Sequence, residues 1–145
     1  MFKTAALVLS FATGATMVAA PAVSQDGGRK LQTSLTGAAE VPGPGDTDGT
    51  GTATVTVNSG KRQICYTLAV TAIDAATAAH IHEGKTGVAG PVVVPLEAPA
   101  DGSSEACVTV TRALALEILK TPADYYVNVH NAAFPAGAIR GQLAK

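Results

Sequence analysis

Hydrophobic and polar side chains alternate with a period of two along most of the chain. In the run TATVTVN (52–58), Ala53, Val55 and Val57 fall on one side and three threonines on the other. After a turn at 58–60, a second run at 64–70 alternates in the same way. Because this period is typical of strands with one buried face, the two runs predict an antiparallel hairpin.

Further short runs of the same kind continue to the end of the chain. Each is bounded by Gly, Pro, Asp or Asn, and together they predict six more strands, at 31–36, 78–82, 91–96, 105–111, 125–130 and 138–143. Seven or eight short strands predict an all-β fold, either an immunoglobulin-like or Greek-key β-sandwich or a barrel.

One segment has helical spacing instead. RALALEILK (112–120) places Leu114 and Ile118 four residues apart, Thr111 can cap its start, and Pro122 ends it. We expect this short helix to cover an open end of the sheet.

The first 22 residues have a different pattern. Lys3 is their only charge, and an apolar run at 5–12 is followed by small residues that include Ala20 and Ala22. This order is typical of a secretory signal peptide, with an apolar run too short to span a membrane. We therefore expect a signal peptide at 1–22 and one periplasmic or secreted domain at 23–145; a buried first helix is the alternative.

Charge and cysteine content narrow the function classes. Residues 23–145 carry nine basic and eleven acidic side chains, with no basic cluster, so nucleic acid is not an expected partner. The two cysteines, Cys65 and Cys107, predict a disulfide in an exported protein. Two separate buried thiols are the alternative.

The three histidines are the candidate chemistry. His80 and His82 project to the same side of a strand, about 6.5–7 Å apart along the backbone. Alternation in YYVNVH (125–130) sends His130 away from the core side as well. If the two strands are neighbours, three imidazoles converge as copper or zinc requires, with copper favoured by its intrinsic affinity for nitrogen ligands. Exposed polar histidines without a metal are the alternative.

Four other polar residues are secondary candidates. Glu83 and Asn128 could supply a further ligand or accept the second N–H of a ligating imidazole. Asp46 and Asp48 are calcium-ligand types, but the later Glu of an EF-hand loop is missing and Asp-Gly is common in turns.

Three stretches, at 35–45, 76–96 and 125–143, resemble the chordin-type (CHRD) domain in the right order and across nearly all of residues 23–145. The resemblance implies a secreted, immunoglobulin-like β-sandwich binding domain with no known catalytic reaction. It maps the histidine pattern onto His80, His82 and His130, followed by Arg140. Ala138 departs from the pattern, because the family usually has Glu there.

The order His-X-His, a later His and then Arg is also similar to the copper side of copper-zinc superoxide dismutases. This likeness implies copper redox activity, with Arg140 attracting an anionic substrate, but the chain has no bridging fourth histidine and no zinc loop. Three hypotheses follow: a non-enzymatic metal-binding module, a copper redox enzyme, and a protein-binding extracellular module. The last should present an apolar patch or a free edge strand to its partner.

Overall fold

Eight strands and one short α-helix make up the part of the protein that the structure, a computed structural model, describes, which is residues 27–145. The predicted signal peptide at 1–22 lies outside these residues. The elements are β1 (Arg29–Thr36), β2 (Thr50–Asn58), β3 (Gln63–Thr71), β4 (Ala76–Glu83), β5 (Val92–Leu96), β6 (Ser103–Thr109), α1 (Arg112–Lys120), β7 (Tyr125–Asn131) and β8 (Ile139–Gln142).

The strands form a single antiparallel sheet in the order β5-β4-β7-β8-β1-β2-β3-β6. The sheet curls until it is nearly closed, with β5 and β6 as its two edges. This confirms the predicted all-β class and selects a barrel-like arrangement over two separate sheets. Because β4 pairs with β7 and β1 with β8, strands far apart in the chain become neighbours.

The alternation of the sequence becomes the two faces of this sheet. β2 and β3 form the predicted hairpin, with Val55 opposite Tyr66 and Val57 opposite Ile64. These inward side chains are buried in one core with Leu31 and Leu35 of β1, while the threonines of β2 point outward. The single core extends under all eight strands.

The helix begins where the sequence predicted. The Thr111 hydroxyl accepts a hydrogen bond from the Leu114 N–H at 3.1 Å, which satisfies a free donor of the first turn. Ala115 and Ile118 are buried against the barrel core. The preceding strand therefore ends at Thr109 rather than at the predicted residue 111, because Thr111 serves as the cap.

A disulfide joins Cys65 of β3 to Cys107 of β6, as predicted. The two residues are direct partners in the ladder, and their Cα atoms are 4.0 Å apart. The bond ties the edge strand β6 to the body of the sheet. No helix within residues 27–145 is both long and apolar enough to cross a membrane.

Candidate metal centre

The three histidines converge on one face of the sheet because β4 and β7 are paired. His80 lies opposite Asn128, His82 opposite Tyr126, and His130 opposite Ala78. One ring nitrogen from each histidine can be chosen so that all three lie within 4.8 Å of one another. The strands are neighbours, which is the condition on which the sequence made this convergence depend, and this is the one such group of three among residues 27–145.

Backbone carbonyls orient two of the imidazoles. His82 Nδ1 lies 2.8 Å from the Gly90 oxygen, and His130 Nδ1 lies 3.1 Å from the Pro135 oxygen. Because a carbonyl only accepts, each Nδ1 carries the hydrogen and each Nε2 keeps a lone pair. Metal-binding histidines are held in the same way, with the second nitrogen donating to a carbonyl or carboxylate.

The Nε2 atom of His82 is buried and has no hydrogen-bond partner. Its side chain is only 8 % exposed, so water does not freely reach it. Leaving a buried polar atom unpaired costs about 1–3 kcal/mol, which makes this lone pair a place where a bound cation would stabilise the structure.

The other two histidines contact each other. His80 Nδ1 and His130 Nε2 are 3.1 Å apart, and Asn128 Oδ1 lies 3.1 Å from the same His130 nitrogen. With a lone pair on His130 Nε2, His80 donates the hydrogen that joins the rings, and the Asn128 oxygen lies beside that lone pair without a hydrogen between them. Asn128, a secondary candidate from the sequence, is thus brought to the cluster.

Burial favours the neutral form of two of the histidines, His80 and His130. Burial lowers the pKa of His80, and the nearby charges of His130 and His82 lower it further, while a hydrogen bond that His80 donates to the Asn128 side chain opposes them. Burial also lowers the pKa of His130, and the bond to Pro135 partly offsets this. Neutral imidazole is the form that a metal binds, so the protonation state suits ligation.

A covering loop, residues 84–90, buries the sheet face beside the histidines. Gly90 holds it at one end, because its N–H donates to the Tyr126 hydroxyl at 3.2 Å and its carbonyl accepts from His82. A Cβ at position 90 would collide with the Glu83 carbonyl oxygen, so only glycine fits there. Arg140 holds the middle, donating to the Val88 and Lys85 carbonyls at 2.9 and 3.0 Å.

Tyr126 links the loop to the cluster. One face of its ring stacks on His82, and the Arg140 guanidinium lies over the ring, 3.4 Å from the centroid. Sequence reasoning missed Tyr126 and Gly90. For Tyr126 the signal was present, since it shares the alternation of Asn128 and His130 in the run YYVNVH (125–130).

Two predicted site residues, Glu83 and Arg140, make no hydrogen bond to a histidine within the described part of the chain. Glu83 is exposed at the end of β4, where it pairs with Tyr125. Alternation places its side chain on the side of the sheet opposite to His82. Arg140 is only 2 % exposed, with both terminal nitrogens bonded to the loop. The charge of Arg140 therefore faces protein carbonyls, and its predicted attraction of an anionic substrate stays a prediction.

The acidic pair in the loop before β2, Asp46 and Asp48, does not join the group of three histidines. Burial raises the pKa of the Asp46 carboxyl, and its neighbour Asp48 raises it further by hydrogen bonding and charge. The two carboxyls thus interact with each other. They do not form a group of three possible ligands with any other residue that the structure describes.

The comparisons with known proteins agree with this architecture. Residues 31–143 match the family model of the CHRD domain, a type of domain that is typically extracellular. The Cys65–Cys107 disulfide fits an oxidising compartment. Neither the curated proteins nor the solved structures contain a match to the chain. Because the matched segment covers most of its length, the chain belongs to the CHRD domain family.

Proposed function

We propose that the protein is an exported CHRD module that binds a transition metal through His80, His82 and His130. The observation that carries this proposal is the close approach of the three ligand nitrogens, within 4.8 Å, together with the buried, unpaired Nε2 of His82. A cation between the rings would pair with that lone pair and replace the hydrogen that joins His80 to His130.

Copper is the metal that this ligand set favours. All three ligands are nitrogens, and among divalent first-row ions copper binds such sites most tightly; zinc, which imidazole also suits, is the alternative. His80 and His130 are only partly buried, so the metal would face solvent on one side and keep a position for water. The metal would therefore be both held by the sheet and accessible from outside.

Export rests on three features. The domain family is typically extracellular, the two cysteines form a disulfide, and residues 1–22 have the pattern of a signal peptide. Sequencing the N-terminus of the protein recovered from the periplasm or medium should locate the cleavage after Ala22 or Ser24. An intact N-terminus in the cytoplasm would contradict export.

Metal analysis and calorimetric titration with Cu²⁺ and Zn²⁺ test the proposed ligands. We expect one metal per chain in the wild-type protein, with Cu²⁺ bound more tightly, and none in a His80→Ala/His82→Ala variant. An Asp46→Asn/Asp48→Asn variant is the matched control and should bind like the wild type. If both double variants and the wild type contain the same negligible amount of metal, the proposal is wrong.

A further inference from the structure

The two edge strands leave the barrel incompletely closed. β5 and β6 follow one another in the chain, and at one end the Ser104 hydroxyl donates to the Glu97 carbonyl at 2.8 Å. Beyond this contact no ladder joins them in the described sheet. A cleft of about 660 Å³ separates them, with walls formed by residues 93–95 of β5, residues 108–112 and 114, and Arg62.

The register of β6 shows which of its backbone groups are free. Cys65 and Cys107 are opposite each other with Cα atoms 4.0 Å apart, the short spacing of a pair without mutual backbone hydrogen bonds. The even-numbered residues therefore bond to β3; accordingly, the N–H of Val110, next along the chain, donates to the Arg62 carbonyl. The odd-numbered residues Glu105, Cys107 and Thr109 direct their N–H and C=O groups away from β3, toward the open side of the sheet, and Thr109 lies at the cleft.

β6 has few of the features that protect an edge strand from pairing. Its sequence, SSEACVT, contains no proline and no lysine, and Glu105 is its only charge. The opposite edge differs, since Pro95 removes a donor from β5. The free edge of β6 is thus the side on which another strand can form hydrogen bonds.

The walls of the cleft indicate the chemistry of such a strand. Val93, Val108, Val110 and Leu114 are partly buried and pack against the core, so they offer an apolar floor. The end near the helix is positive, because the exposed side chains of Arg62 and Arg112 lie there with the N-terminus of α1. An apolar strand that ends in a carboxylate complements both features.

We propose that the edge of β6 binds an extended peptide as an added strand, with a carboxylate of that peptide at Arg62 and Arg112. Main-chain hydrogen bonds supply affinity in this mode, and side-chain pockets supply specificity. The cleft volume lies within the range of known ligand sites. The histidines take no part, so a protein-binding role is compatible with metal binding and does not depend on it.

A displayed library of random octapeptides with free C-termini, selected on the full-length exported protein, provides the probe. The selected peptides are then synthesised and titrated. We expect alternating β-branched residues with an acidic residue or the C-terminal carboxylate at one end, and slower amide hydrogen exchange at Glu105, Cys107 and Thr109 on binding. The His80→Ala/His82→Ala variant should bind the peptides as the wild type does.

Two pairs of variants test the contacts. Thr109→Pro removes a donor that faces the cleft without breaking a bond to β3, so it should weaken binding at least 10-fold, whereas Thr109→Ala should not. Arg62→Gln/Arg112→Gln should also weaken peptide binding at least 10-fold. Its control is Arg29→Gln/Lys30→Gln, which removes the same charge from an exposed part of β1 and should leave peptide binding unchanged. Thermal melts confirm that each variant is folded.

The proposal is overturned by any of three results. The first is a selection that enriches no peptide, and the second is equal binding of the enriched peptides to all four variants. The third is a dimer in light scattering in which amide hydrogen exchange at the β6 edge is already slow without peptide. The last result would mean that a second copy occupies the edge.

Discussion

The imidazole of His82 lies flat against the phenol ring of Tyr126, with ring centroids 4.7 Å apart and an interplanar angle of 5°. Arg140 lies over the same phenol ring, 3.4 Å from its centroid, and bonds to the covering loop. The orientation of a proposed metal ligand therefore depends on an arginine that does not touch the histidines.

Replacing this arginine should weaken metal binding indirectly. Arg140→Gln removes the bonds to the Val88 and Lys85 carbonyls and the contact with Tyr126. We expect about 10–100-fold weaker Cu²⁺ binding, as for other groups that orient ligands, measured by calorimetric titration. Stability should fall by about 1–3 kcal/mol, because the covering loop loses two hydrogen bonds from a charged donor. Arg29→Gln, at an exposed site, is the control, and equal affinities of the two variants would contradict this prediction.

Glycine at position 90 is required by the covering loop. In Gly90→Ala the new Cβ collides with the Glu83 carbonyl, so the Gly90 carbonyl must move away from His82. We expect a loss of about 1–3 kcal/mol in chemical denaturation and a weaker metal affinity in the variant. Gly60→Ala is the matched control, since its Cβ meets only the Asn58 side-chain oxygen at 3.4 Å. A stable Gly90→Ala protein with full affinity would show that the loop does not orient His82.

Metal affinity should depend steeply on pH. The pKa values of His80 and His130 are lowered by burial, so protons compete with the metal only below the ordinary histidine range near 6.5. We expect Cu²⁺ affinity to be flat above neutrality and to fall as the pH drops below about 6.5, with protons taken up by His80 and His130 when the metal is released. Titrations at pH 7.5 and 5.5 check this, and a constant affinity would rule out the histidine ligand set.

Glu40 should make the protein less stable as pH rises toward neutrality. Its side chain is 5 % exposed, Oε1 has no hydrogen-bond partner, and burial raises its pKa to about 7 against the opposing charge of Arg140. In the unfolded state the Glu40 carboxyl has its ordinary pKa of 4.5 and releases its proton there. The folded state therefore holds a proton that the unfolded state has already released. This contribution to stability is complete below pH 4.5 and is lost as pH rises through 7.

Glu40→Gln should remove this pH dependence, because glutamine does not ionise and the penalty for a buried charge at higher pH disappears. We expect the variant to gain on the order of 1–2 kcal/mol relative to the wild type between pH 5 and pH 8, after solvent screening is allowed for. Urea denaturation at the two pH values measures it, with Glu105→Gln, an exposed carboxylate, as the control. Parallel stability curves for Glu40→Gln and the wild type would contradict the assignment.

The disulfide should matter for stability and not for the metal. Cys65→Ser/Cys107→Ser releases β6 from β3, and removal of a bond that closes a loop of 42 residues should cost about 2–4 kcal/mol. Metal affinity should be unchanged, because the histidines are on β4 and β7, four or more strands away in the sheet order. A loss of metal from the folded double variant would reveal a coupling that the structure does not explain.

Much of this architecture follows from local sequence. The period of two predicts the β2–β3 hairpin and its buried Val55 and Val57, because alternation along a strand is set by backbone geometry alone. The same rule places His80, His82 and His130 on the non-core sides of their strands. Thr111 and Pro122 define the helix through the hydrogen-bonding needs of its ends, which are also local.

Other features exist only in the folded chain. The pairing of β4 with β7 joins residues about 50 positions apart, and only that pairing turns two histidine positions into one cluster. The burial of His82 and Arg140 depends on the covering loop, whose path is set by Gly90 and by carbonyls that no pattern in the sequence marks. The free edge of β6 likewise results from the failure of β5 and β6 to pair, a consequence of how far the whole sheet curls. Alternation determines the side to which a residue points; long-range packing determines what it meets there.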